Sequence, residues 1–153
     1  MRKTIVAGVL SLFCLTGVAL AATAPTSGRF RGETSQRGRY YRVHFAVRGT
    51  HLKRFDIVWR ASCRSGGFLR DGTAQGNTRI VIHRGRWTSS GSYSGPIKGG
   101  YTGRFRVVEN DGRFLSHDQA RGVFHIKVRI FRNGHQKDRC DSGVVHWTAR
   151  RRG

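Results

Sequence analysis

The chain has 153 residues and a formal charge of +21, from 29 Lys and Arg against 8 Asp and Glu. Hydrophobic residues make up 37% and aromatics 10%, enough for the packed core of a single domain, so wholesale disorder is excluded. Glycine (21) far outnumbers proline (2) without a three-residue period, which excludes collagen-like and proline-rich architectures and favours many tight turns.

Arg2 and Lys3 precede an uncharged apolar run from Ile5 to Val18, which closes on Ala19-Leu20-Ala21. A cationic start, an apolar stretch and a small-x-small close read as a cleaved secretory signal over residues 1–21. The uncharged stretch, about 17 residues, is at the short limit for crossing hydrocarbon, so no membrane span is expected after cleavage. Residues 22–27, with Pro25, read as a short linker, and residues 28–153 as the β domain. Once Cys14 leaves with the signal, Cys63 and Cys140 form an even pair in a chain bound for an oxidising compartment, and a disulfide is expected. A metal site is not expected, because neither Cys has a second Cys or a His at ligand spacing. The expected destination is secreted or extracytoplasmic, at the cell envelope.

Period-two alternation predicts the strands. Tyr41, Val43, Phe45 and Val47 alternate with Arg42, His44, Ala46 and Arg48. Gly49-Thr50 then turns the chain into Phe55, Ile57, Trp59, Ala61 and Cys63, which alternate with Arg54, Asp56, Val58, Arg60 and Ser62. Phe124 to Ile130 and Val145 to Ala149 repeat the pattern. The triplet Gly-Arg-aromatic recurs at Gly28, Gly38, Gly85, Gly103 and Gly112. Each copy reads as a strand opening in which glycine turns the chain, arginine faces water and the aromatic starts a buried row. No window has helical periodicity. The expected fold is all-β, an antiparallel meander of about eight or nine strands forming a sandwich or an up-and-down barrel.

Gly32-Glu33-Thr34-Ser35-Gln36, a lone central Cys, a late Gly-Arg-Phe hairpin and Cys140-Asp141-Ser142-Gly143-x-Val145-x-Trp147-x-Ala149-Arg150 together resemble a group of uncharacterised small secreted, Arg-rich β domains of high-GC bacteria. These are turn and strand patterns, so the resemblance implies a fold and transfers no catalytic residue.

Nucleophilic catalysis needs a Ser or Cys activated by a His and a carboxylate. Gly91-Ser92-Tyr93-Ser94-Gly95 lies in a turn-rich β region and reads as part of a hairpin, not as a nucleophile elbow. His117-Asp118, the one adjacent His-carboxylate pair, reads as a solvated turn. His44, His125 and His146 fall on polar faces of predicted strands, where they would bind a metal only if those strands adjoined. Asp71, Asp111, Asp138 and Asp141 read as turn residues, with no sign of a glycosidase pair. No catalytic residue, cofactor or metal is assigned, and the protein is expected not to be an enzyme.

Arginine supplies most of the positive charge, and its guanidinium forks onto phosphate, sulfate and carboxylate. Outward Arg42, Arg48, Arg54, Arg60, Lys127 and Arg129 are the candidate polyanion-binding residues, on strands whose other face is apolar. The expected partner is an anionic cell-surface polymer or polysaccharide. Dedicated nucleic-acid recognition is not expected, because most aromatics fall on the inward phase, with Phe131 the exception. The alternative is a calyx-type barrel holding a small apolar ligand among Tyr41, Phe45, Trp59, Phe105, Phe124 and Trp147.

Overall fold

The alternating segments become strands because only an extended backbone sends every second side chain to the same side. A computed structural model describes residues 24–38, 40–74 and 80–153; the expected signal segment lies outside the described residues. Ten antiparallel strands follow in order: β1 (Gly28–Thr34), β2 (Arg42–Arg48), β3 (His51–Cys63), β4 (Phe68–Ala74), β5 (Ile80–Val81), β6 (Arg86–Ile97), β7 (Tyr101–Ser116), β8 (Gln119–Arg132), β9 (His135–Asp141) and β10 (Val145–Arg152). Among the described residues there is no helix. None is therefore long and apolar enough to cross a membrane.

The all-β fold is as expected, and its pairings add a topology that alternation does not reveal. Strands β1 to β4 form one run of neighbours and β6 to β9 a second. β10 joins the runs by pairing with β1 along one edge and with the first half of β8 along the other. β9 pairs with the second half of β8 and, through Ser62–Asp141 and Cys63–Cys140, with the end of β3. The hydrogen bonds thus close a ring, β10-β1-β2-β3-β9-β8, with β7 and β6 continuing from β8 and with β4 and β5 on β3.

β8 changes partner from β10 to β9 at Ile126, where Ser142 sits. The Ile126 N–H donates to Ser142 Oγ at 3.0 Å, and Ser142 N–H donates to the Ile126 carbonyl at 3.1 Å. The disulfide Cys63–Cys140, expected from cysteine counting, lies a few residues away, with Cα atoms 4.0 Å apart. It fits an oxidising, extracytoplasmic setting.

The core is aromatic. Phe30, Phe45, Phe55, Trp87, Phe114 and Trp147 form one cluster, with Phe30 and Phe45 stacked at 4.8 Å and Trp87 and Trp147 at 5.7 Å. Trp59, Phe105 and Tyr93 form a second, with Tyr93 stacked on Phe105 at 4.6 Å. Trp59 Nε1 donates to Thr73 Oγ1 at 2.8 Å, and that hydroxyl is 3.0 Å from Tyr93 Oη, so one polar chain links β3, β4 and β6. Each such ring buried contributes about 1.5–3 kcal/mol of apolar transfer, before pair geometry adds to it.

Three of the five Gly-Arg-aromatic triplets do not open strands. Gly28 is the first residue of β1 and Gly85 precedes β6, but Gly103 and Gly112 lie inside β7, and Tyr40 of the Gly38 copy lies in a turn ahead of β2. Tyr40, assigned to a buried row, is 53% exposed. Asp71, Asp111, Asp138 and Asp141, expected in turns, lie on β4, β7 and β9, because strands here run longer than their apolar alternation. Gly91 to Gly95 is extended backbone inside β6. The last two residues of the expected linker are tied down as well: Thr26 N–H donates to the His117 carbonyl at 3.2 Å and Gly49 N–H donates to Ser27 Oγ at 3.0 Å.

Candidate polyanion-binding site

On β7, β8 and β9 the inward positions are filled by Phe105, Val107, Ile126, Val128 and Cys140. Period two therefore sends Arg104, Arg106, Lys127, Arg129 and Arg139 to solvent. Register then aligns them. Ser94 of β6 faces Arg104, Arg104 faces Arg129, and Arg129 faces Arg139. In the next outward row Ser92 faces Arg106, Arg106 faces Lys127, and Lys127 faces Asp141. Neighbouring strands are about 4.8 Å apart, so the three arginines of the first row stand across roughly 10 Å.

Like charges directly opposite on a sheet are destabilising, by about 0.2–1 kcal/mol per pair. Rows that served stability alone would pair opposite signs. Here the one offsetting carboxylate is Asp141, 3.7 Å from Lys127 Nζ and 2.7 Å from His125 Nε2. Partial burial raises the Asp141 pKa, but the Gly143 N–H, the His125 hydrogen bond and the positive charge of His125 and Lys127 outweigh it and hold the carboxyl below its ordinary value.

One outward ring supports a cation of the first row: the Arg104 guanidinium lies 4.6 Å from the Phe131 centroid. Stacking on a ring restrains a guanidinium in its plane while leaving its donors free. A trough of about 400 Å³ runs over Arg104, Arg106, Lys127 and Arg129, with Ser92 and Ser94 along one bank.

All six residues read from the sequence as a basic face are exposed. Lys127 and Arg129 belong to the two rows. Arg42 and Arg48 lie on β2 and Arg54 and Arg60 on β3, and neither strand is hydrogen-bonded to β8. Arg54 Nε is paired with Asp56 at 2.6 Å, and the Arg60 guanidinium lies 5.8 Å from the Phe68 ring. Gln36, of the Gly-Glu-Thr-Ser-Gln stretch, accepts from the Arg60 N–H and donates to its carbonyl, both at 2.7 Å. Arg104, Arg106 and Arg139 were missed. Arg104 stands in a Gly-Arg-Phe triplet and Arg139 precedes an inward Cys, so the outward phase of both was available; the alignment across three strands was not.

No family model, curated protein or solved structure matches this chain.

The other candidates for chemistry have structural occupations. His117 Nδ1 is 2.8 Å from the Ala24 carbonyl, and Asp118 is paired with Arg151 at 2.6 Å. His44, His125 and His146 stay apart in register, facing Asp56, Glu109 and Val123 respectively. Asp138 accepts from the Ser65 hydroxyl at 2.6 Å. Cys63, Asp138 and Cys140 lie close together, but both sulfurs are spent in the disulfide.

Proposed function

We propose that this domain is a secreted, non-enzymatic β module that holds an anionic cell-surface polymer or polysaccharide across β7, β8 and β9. The observation that carries this reading is the Arg104–Arg129–Arg139 row, three directly opposed guanidiniums with no carboxylate in register. Its repulsion is relieved when a chain of phosphate, sulfate or carboxylate groups lies over it. Glu109 and Asp111 interrupt the positive charge further along β7, and Asp141 does so on β9. That arrangement favours a polymer crossing the strands over one following them. Of the rings that would line a calyx, Phe45, Trp59, Phe105, Phe124 and Trp147 are buried in the core, where Phe45 packs on Trp147 and Trp59 on Phe105, which favours a surface ligand over an interior one.

The test is the salt needed to elute the protein from immobilised heparin. A variant carrying Arg104→Gln, Arg129→Gln and Arg139→Gln is compared with one carrying Arg42→Gln, Arg48→Gln and Arg152→Gln, so both lose the same charge. The row variant is expected to elute at clearly lower salt, because each lost contact takes about one unit from the slope of log affinity against log salt. Identical elution of the two variants would mean that net charge alone is being measured, and would sink the proposal.

A further inference from the structure

A second row of opposed arginines lies at the other end of the β6–β7–β8 face, and it borders a formed groove. Arg86 faces Arg113 and Arg113 faces Arg121. The groove they border measures about 970 Å³, within the range of sites that hold small organic ligands. Gly112, Gly122, Val123 and Val81 line it, together with the imidazoles of His83 and His146. Arg84 stands at its margin as a fourth guanidinium. One carboxylate is present, Asp111, and it is engaged by the Thr88 hydroxyl. Among the described residues no acid lies within ion-pair distance of Arg84, Arg86, Arg113 or Arg121.

The backbone at Arg84 is an independent observation. His83 and Arg86 exchange two backbone hydrogen bonds, at 2.8 and 3.0 Å, around the two-residue turn Arg84-Gly85. Both turn residues have positive φ, 48° and 70°, the geometry in which Asn-Gly is strongly preferred and a long side chain is disfavoured. The same protein makes the ordinary version of this turn between β8 and β9, where Asn133-Gly134 has φ of 51° and 78°. Arginine in the first place at residue 84 is therefore a local cost that the turn itself does not require. Strain of this kind, kept beside a cluster of like charges, points to a ligand.

We infer that this groove binds the phosphate monoester of a ring-sized organic molecule. Arg84, Arg86, Arg113 and Arg121 take the phosphoryl group, and the glycine and valine surface takes the ring. A dianion suits four guanidiniums facing one carboxylate better than the monoanion of a sulfate ester does. The volume exceeds what a bare phosphate fills. The site is separate from the β7–β8–β9 row and stands or falls independently of it.

Calorimetric titration at constant ionic strength, with phenyl phosphate, inorganic phosphate and phenyl sulfate as probes, tests the assignment. Phenyl phosphate is expected to saturate one site per chain and to bind about tenfold more tightly than either of the others, over inorganic phosphate through the buried ring and over phenyl sulfate through the second negative charge. Arg84→Asn is expected to weaken phenyl phosphate about tenfold while leaving the thermal midpoint unchanged or higher, since Asn suits the turn. Arg121→Gln is expected to weaken it comparably, and the Arg104, Arg129, Arg139 triple variant to leave it unchanged. Absence of saturable binding, or full affinity in Arg84→Asn, would overturn the site. Equal affinity for phenyl phosphate and inorganic phosphate, or for phenyl sulfate, would overturn the ligand class. An equal loss in the triple variant would reduce the effect to net charge.

Discussion

A hydrogen in place of a methyl group decides how the two stacked tryptophans are seated. Trp87, Gly112, Gly122 and Trp147 form one inward row across β6, β7, β8 and β10, and each indole lies over the neighbouring glycine. A Cβ at Gly112 would stand 2.1 Å from Trp87 Cζ2, and one at Gly122 2.4 Å from Trp147 Cζ2. Gly112→Ala is therefore expected to destabilise the fold by about 3 kcal/mol or more, at the upper end of overpacking costs. Gly91→Ala, on β6 with nothing within 4 Å, is expected to gain about 0.4–1 kcal/mol from the stiffer unfolded chain. Urea unfolding of both variants checks the pair, and similar stability for the two would refute this account of the row. Sequence showed that glycine and aromatics are coupled at these positions and misjudged why. At Gly103 and Gly112 the glycine makes room for a ring where a turn was expected: at Gly112 the ring is Trp87 of the neighbouring strand, and at Gly103 it is Phe105, which lies back over the same face of its own strand.

At the scale of elements, the ring is only as strong as its shortest seam. β3 meets β9 through two residue pairs, Ser62–Asp141 and Cys63–Cys140, whereas β7 and β8 pair along most of their length. The disulfide staples that short seam and closes a loop of 77 positions, worth about 4 kcal/mol in the chain-entropy model. Replacing both cysteines by serine is expected to lower the unfolding free energy by about that amount. Amide exchange is expected to quicken first in β9 and around Ser62. Uniform loss of protection across all strands would show that the seam is not a separate weak point. The disulfide was legible because parity and compartment alone predict it. The seam was not, since β3 and β9 are far apart in sequence and β9 carries little apolar alternation beyond Cys140.

For the whole molecule, electrostatics sets the conditions of stability. His44 has its pKa lowered, first by partial burial and then by Arg31 and Arg42, with Arg54 adding to this and Asp56 opposing it. In the unfolded chain His44 takes up a proton near 6.5, while the folded protein resists protonation until lower pH. Between those two values the unfolded state binds more protons, so stability falls as the pH drops below about 6.5 and stops falling from this source once the folded group is protonated. The fall in thermal midpoint from pH 7.5 to pH 5 is expected to be smaller in His44→Asn than in the parent protein. An unchanged fall would assign the effect to other groups. Added salt is expected to act in the same direction at both pH values, screening a chain of such one-sided charge.

The sequence by itself determined the strand class, the inward phase of most core aromatics, the disulfide and the predominance of outward arginine. All of these follow from composition or from period two, which needs no knowledge of neighbours. Only the tertiary structure decided which arginines stand opposite one another, because register between β7, β8 and β9 depends on pairing, bulges and the switch of partner at Ile126. The six predicted cations were correctly placed in solvent but drawn from strands that are not all neighbours. Arg104, Arg106 and Arg139 joined Lys127 and Arg129 through pairings that no single segment encodes. The charge of the chain is a matter of composition, whereas its concentration into rows is a matter of hydrogen-bonded register.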